Sequence, residues 1–270
     1  MWRKFKSFKK RFQYDENEIP FLEHLDYFRK TIINMGISLL IGVLICVPFS
    51  KHLLSILLVP AEPFLDTNIE NNMGILLVFQ EPTSSIKMLL MVTFFGGLLI
   101  SLPAMIYFLA GFILPGVRYN EQKALRRIIF FSGGLFVLGI FMGYEITLPL
   151  AMQWMLNLGS YLGGESIWFF SKYITFVLQI ILAFGLAFQL PVIILILGKM
   201  GFIGSDQLRK KRRHIVVSIL VLAMLLTPPD VLTQLLLATP LILLYEFCIW
   251  FLHFTGNRQA VSLEVDKNED

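Results

Sequence analysis

Apolar residues in this chain gather in long, nearly unbroken runs instead of the spaced positions of an amphipathic helix or strand. Six runs stand out, at 31–49, 86–114, 128–150, 173–197, 215–226 and 231–254. A helix rises about 1.5 Å per residue and a bilayer's hydrocarbon core is about 30 Å thick, so about 20 apolar residues cross it. The first four runs meet that length. The fifth holds twelve residues, which gives roughly 18 Å. It either spans with the bilayer thinned around it or forms a re-entrant hairpin with the sixth, turned at Pro228-Pro229. Two short spans are the expected form. The pattern predicts an all-α polytopic membrane protein with six transmembrane helices.

Composition agrees with that reading: hydrophobic residues make up 56% of the 270 positions, above the roughly 45–50% of a soluble domain. Charge sets the expected orientation. Lysine and arginine accumulate in cytoplasmic loops near span ends, and twenty of the 23 here fall before the first run, after the even-numbered runs or in the carboxyl-terminal tail. Lys51, Lys87 and Lys172 lie opposite. Both termini are therefore expected in the cytoplasm, with the chain multi-pass in a bacterial-type inner membrane. Loop placement accounts for the net charge of +4 without nucleic acid, which would call for a basic face with groove-reading or stacking partners.

Three segments are expected: a basic, aromatic extension at 1–20, a membrane domain at 21–254 and a polar tail at 255–270. In the extension, Trp2, Phe5, Phe8 and Phe12 recur at helical spacing among lysines, the pattern of a helix lying on anionic lipid or of a solvated basic tail. No apolar segment of a signal peptide follows it. Cys46 and Cys248 sit singly in apolar runs and read as packing residues, not as a metal or redox pair. Gly139 and Gly143 have the spacing of a close helix crossing. Pro103, Pro191 and Pro240 lie inside runs, where each removes a helical hydrogen bond and bends the rod.

Catalytic signatures are missing from the sequence, which has no His-Glu-x-x-His pair, no Gly-x-Ser-x-Gly elbow and no phosphate-binding Gly-Lys-Ser/Thr loop. An enzyme is not expected, nor a metal. Polar groups at membrane depth are better pointers, because a charge there costs at least about 2.5 kcal/mol. Glu246 in the sixth run is either such a functional acid or a carboxylate near the inner interface, paired with a backbone amide or a tyrosine such as Tyr245. Glu145 reads as an outer interfacial residue, and Gln189 as an interhelical hydrogen bonder.

Several motifs occur in a fixed order. They are Glu23-His24-Leu25-Asp26-Tyr27-Phe28-Arg29-Lys30, Glu81-Pro82 with Lys87, Phe112-Ile113-Leu114-Pro115 followed by Glu121, and Gly143-Tyr144 with Leu148-Pro149. After them come 183–191, ending Gln189-Leu190-Pro191, the basic block from Arg209, Leu226-Thr227-Pro228-Pro229-Asp230 and Leu244-Tyr245-Glu246. On these motifs the chain resembles the TatC family, the multi-spanning subunit of the twin-arginine protein translocase, from about Phe21 to Phe251. The resemblance implies a glove-shaped, concave six-helix fold whose fifth and sixth helices are short. It implies a receptor for the signal peptides of folded cargo, acting with small single-span partners of the TatA and TatB type. It also implies a hetero-oligomer with several copies, transport driven by the proton motive force and no cofactor.

For single residues the resemblance changes the weighting. Alone, Glu121 reads as a helix-surface ion pair with Arg118 or Lys123; within the family it becomes the carboxylate that captures a guanidinium through bidentate bonds a lysine cannot copy. The family's amino-terminal Glu-Leu-Arg departs here, since Tyr27 stands at the glutamate position beside Arg29. Asp26 or Glu23 would replace that acid, or Tyr27 would stack on a guanidinium. Gln189 stands where some members carry glutamate, leaving a polar contact to the small partners, with Glu246 the second intramembrane polar residue. Glu81, Pro82, Pro228 and Asp230 belong to outer-face motifs. A second class, a secondary transporter or channel component, rests on kinked spans and Glu246 and would need an internal repeat. The first three and last three runs share no Gly or Pro spacing.

Overall fold

The computed structural model describes residues 21–64, 76–79, 81–113, 119–163, 167–199, 203–227 and 230–267. The basic extension at 1–20, with its expected lipid-surface helix, and Pro228 lie outside the described residues, as do the side chains of Glu23 and Glu121. Helices α1 (Phe21–Cys46) and α2 (Ser50–Leu58) come first, α2 running into a 3-10 segment at Val59–Phe64. Strand β1 (Leu76–Val78) precedes α3 (Ser84–Ile113) and α4 (Tyr119–Phe141). A π turn at Met142–Thr147 leads to α5 (Leu148–Tyr161), and strand β2 (Ile167–Phe169) to α6 (Phe170–Ala187). The remainder is α7 (Leu190–Lys199), α8 (Ser205–Lys210), α9 (Arg212–Leu226) and α10 (Val231–Lys267). β1 and β2 pair in parallel, Leu77 opposite Trp168.

Among the described residues, five helical segments are long and apolar enough to cross a membrane: Leu25–Cys46, Ser84–Leu109, Arg127–Tyr161, Phe170–Lys199 and Val231–Phe254. They correspond to the first four runs and the sixth. The fifth run forms α9, whose 15 residues reach only about 22 Å. The last apolar segment, at 24 residues, is longer than an abbreviated helix, and its helix continues past Phe254 through most of the segment read as a polar tail.

The third run differs most from its sequence reading. The sequence reading ends the apolar run at 150, yet the rod continues to Tyr161. The reason lies one turn earlier: the Leu148 N–H bonds the Gly143 carbonyl, an i to i−5 contact. This widened turn precedes Pro149, which has no N–H to give, so the helix passes the proline with a local bulge instead of ending. At Pro191 the outcome is the reverse. α6 stops at Ala187 and α7 starts at Leu190, with the Gln189 N–H drawn back to the Leu186 carbonyl at 3.0 Å. The fourth run is thus two helices.

α6 is the centre of the core. Tyr173, Ile174, Val177, Ile180 and Phe184 along it are buried, and α3, α4 and α9 pack around it. Glycine sets the closest crossings. A Cβ on Gly42 of α1 would stand 2.5 Å from the Gly97 carbonyl oxygen of α3, and one on Gly97 would stand 2.5 Å from the Val43 amide nitrogen. One on Gly139 would stand 2.7 Å from the Phe184 carbonyl oxygen. Helix backbones therefore touch at these points, the route by which membrane helices gain packing without a hydrophobic driving force.

These contacts give direction to the bundle. α1 and α3 are antiparallel, with Phe28 against Phe112 (ring centroids 5.4 Å apart) near one end and Gly42 against Gly97 further along. α4 and α6–α7 are antiparallel, through Ser132–Gln189 and Gly143–Phe184. α9 and α10 are antiparallel too, through Arg212–Glu246 and Gln234–Leu220. The amino end of α1, the start of α4, the α7–α9 connection and the carboxyl end of α10 consequently share one end of the bundle. α2, both strands, the π turn and Thr227–Asp230 share the other.

Candidate functional site

The residues expected to read arginines lie on elements that begin at the end of the bundle holding the amino end of α1 and the carboxyl end of α10. Glu23 and Asp26 lie in the first turns of α1, and Glu121 in the first turn of α4. α4 begins only six residues after α3 ends, and the carboxyl end of α3 is held against α1 by Phe28 and Phe112. The amino ends of α1 and α4 thus lie at the same end of the bundle. Asp26 and Arg29 are exposed and Tyr27 is half-buried. The Lys30 ammonium lies 5.9 Å from the centre of the Tyr27 ring, so that ring already faces a cation, within the range of such attraction.

Gln189 occupies the break between α6 and α7. Its side-chain oxygen accepts a hydrogen bond from the hydroxyl of fully buried Ser132 at 2.6 Å, and its amide nitrogen donates to the Ser132 carbonyl at 3.3 Å. The Gln189 side chain thereby ties the break between α6 and α7 to α4, an interhelical polar contact of the kind common between membrane helices.

Glu246 pairs with neither of the partners expected from sequence. Arg212, the first residue of α9, donates to its carboxylate at 2.8 Å, and both side chains are more than 40% exposed. Tyr245 instead turns inward and donates to the Leu208 carbonyl at 2.9 Å. The acid is thus toward the end of the bundle that holds the start of α9, in an ion pair of the sort worth about 0–1 kcal/mol.

The outer-face motifs sit at the opposite end and act on local structure. The Glu81 carboxylate accepts from Lys87 Nζ at 3.1 Å and from the Thr83 hydroxyl at 3.3 Å. Those two groups, Lys87 first, hold its pKa below the usual carboxylate range. Pro82 is exposed beside it. Asp230 caps α10: its carboxylate accepts from the Thr233 N–H at 2.9 Å, the N-cap geometry that satisfies an orphan amide. Thr227 closes α9 with its hydroxyl on the Ala223 carbonyl at 2.8 Å. Glu145 is exposed within the π turn.

Sequence reasoning missed a clamp at this end. Tyr144 donates to the Ile56 carbonyl at 2.6 Å and buried Tyr173 to the Leu57 carbonyl at 2.8 Å. Both carbonyls belong to the last turn of α2, where the chain passes into the 3-10 segment, and that of Ile56 also accepts the Val59 N–H. Gly143-Tyr144 carried a partial signal; nothing in the sequence marks Tyr173 or α2 as partners.

The family model described as Sec-independent protein translocase protein (TatC) matches residues 23–240. The Sec-independent protein translocase protein TatC of Aquifex aeolicus is 35% identical over 233 residues, covering 86% of this chain and 94% of its own length. That of Escherichia coli O6:H1 is 31% identical over 242 residues, 88% of this chain and 90% of its own. A chloroplastic TATC from Oryza sativa subsp. japonica is 36% identical over 245 residues, and the match spans 65% of that longer protein. A crystal structure of the twin-arginine translocase receptor TatC superposes with a TM-score of 0.74 at 33% identity, covering 86% of this chain and 99% of that one.

Proposed function

The chain belongs to the TatC family of Sec-independent protein translocase proteins, and on that premise we propose that it is the receptor that captures twin-arginine signal peptides of folded cargo. What supports the reading is that the amino ends of α1 and α4, whose first turns carry Glu23, Asp26 and Glu121, lie at the same end of the bundle as the basic loops. A guanidinium pair arriving there meets carboxylates from two helices, and each bidentate contact is charge-assisted. Tyr27 adds an aromatic face in place of a third acid.

This rim is the cytoplasmic one, because basic residues gather on it and cargo is met before export. TatA-type and TatB-type single-span proteins join the chain in a hetero-oligomer, and the proton motive force drives passage through that assembly. The membrane is a bacterial-type cytoplasmic membrane, with both termini inside.

The test is binding of a twin-arginine signal peptide to the purified protein in nanodiscs, with Glu121→Ala and Asp26→Ala variants. Loss of affinity in Glu121→Ala is expected, and a partial loss in Asp26→Ala identifies that residue as the stand-in for the acid replaced by Tyr27. Unchanged affinity in both variants contradicts the assignment.

A further inference from the structure

We propose that the basic block 209–213, together with the outer stripe of α9, is a binding site for one anionic phospholipid. The block is continuous, Arg209-Lys210-Lys211-Arg212-Arg213, and each of its side chains is exposed. It is anchored to α10 at two points. Leu208 is buried next to it, with its carbonyl taken by the Tyr245 hydroxyl, and Arg212 is fixed to Glu246. Among the described residues, Glu246 is the only carboxylate within ion-pair distance of the block, and it engages Arg212 alone. Below Arg213 on α9, at steps of four residues, stand Val217, Val221 and Leu225, which are 58%, 53% and 75% exposed.

Residues four apart are neighbours on a helix surface, so a cationic head and an apolar band that winds around the helix adjoin each other along α9. That is the shape and charge order of a phospholipid: phosphate at the block, acyl chain down the stripe. Phosphate suits arginine's planar fork, and each basic residue at an anionic surface adds about a five-fold gain in affinity. α9, at 15 residues, is also short for a bilayer, and a bound lipid beside it would seal the apolar stripe that neighbouring helices leave open. The proposal needs only that the chain is embedded in a membrane and is independent of the receptor reading.

The experiment is native mass spectrometry of the detergent-solubilised protein, titrated separately with phosphatidylglycerol and phosphatidylcholine. Wild type should retain phosphatidylglycerol in preference. Lys210→Gln with Arg213→Gln, which leaves the Arg212–Glu246 pair and Leu208 in place, should weaken phosphatidylglycerol by roughly thirty-fold without changing phosphatidylcholine. Lys210→Arg with Arg213→Lys should restore it, and Val221→Asn should weaken both lipids. Removing equal charge from the amino-terminal extension, with Lys9→Gln and Lys10→Gln, should have no effect. The proposal is overturned if wild type retains both lipids equally, if the extension variant loses as much as the block variant, or if a co-purified single-span helix and no lipid occupies the stripe.

Discussion

Ser132 and Gln189, 57 positions apart, exchange two hydrogen bonds across the interface of α4 with the α6–α7 break. Ser132 has no exposed surface, so the pair is a fastening inside the protein. Ser132→Ala should lower stability by about 1 kcal/mol, in the range measured for interhelical bonds in membranes, because it removes the hydroxyl that Gln189 accepts from. Gln189→Leu should cost a similar amount. Thermal unfolding in detergent checks both, and a variant as stable as wild type would show that water or lipid replaces the partner.

The Gly42–Gly97 crossing predicts a sharp contrast among glycines. Gly97→Ala puts a methyl 2.5 Å from backbone of α1, so the helices must separate, at a cost of about 1–3 kcal/mol. Gly134→Ala faces open space and should be neutral or slightly stabilising through helix propensity. Melting temperatures of the two variants, compared side by side, test whether backbone contact or glycine as such matters.

The fold was legible where it depends on a local pattern. Run length and the basic loops located the membrane-crossing segments, and Pro191 marked a real interruption. The continuation of the third run past Pro149 was not legible, because it depends on a π turn beginning seven residues upstream, and a widened turn has no composition of its own. Partners were the least legible feature. Glu246 was recognisable as a polar group at a span, with a backbone amide or Tyr245 as the expected partner, but Arg212 meets it because α9 and α10 fold back on each other. Asp230 was read as a family motif, and its cap on α10 gives the motif a local physical reason. That the amino ends of α1 and α4 share one end of the bundle depends on the antiparallel α1–α3 pair, which no run of residues announces.

Tyr173→Phe tests the clamp on α2. The hydroxyl is buried and its bond to the Leu57 carbonyl has no solvent substitute, so its loss should cost about 1–3 kcal/mol. Tyr144→Phe should cost less, because Tyr144 is only half-buried. Hydrogen exchange of the amides in 50–64 should rise in Tyr173→Phe; unchanged protection there would mean that the strand pair, not the tyrosines, holds the segment.

Glu81 gives a pH signature. Its pKa is lowered in the folded protein, chiefly by the hydrogen bond from Lys87, so the pair supports the start of α3 at pH above the ordinary carboxylate range. That support is lost as acid carries the pH down through the lowered value. The stability difference between wild type and Glu81→Gln should therefore exist near neutrality and vanish in acid. A difference independent of pH would mean that the carboxylate charge is not what matters.

The most direct test of the receptor account compares two peptides on the unaltered protein. A twin-arginine signal peptide and its twin-lysine counterpart carry equal charge and differ in geometry alone, so a carboxylate site built for bidentate contact separates them. Equilibrium binding in nanodiscs should favour the arginine peptide by about ten-fold or more, as expected for charge-assisted hydrogen bonds worth roughly 1.5–3 kcal/mol each. Equal affinity for the two peptides would contradict the claim that the rim formed by α1 and α4 reads arginine.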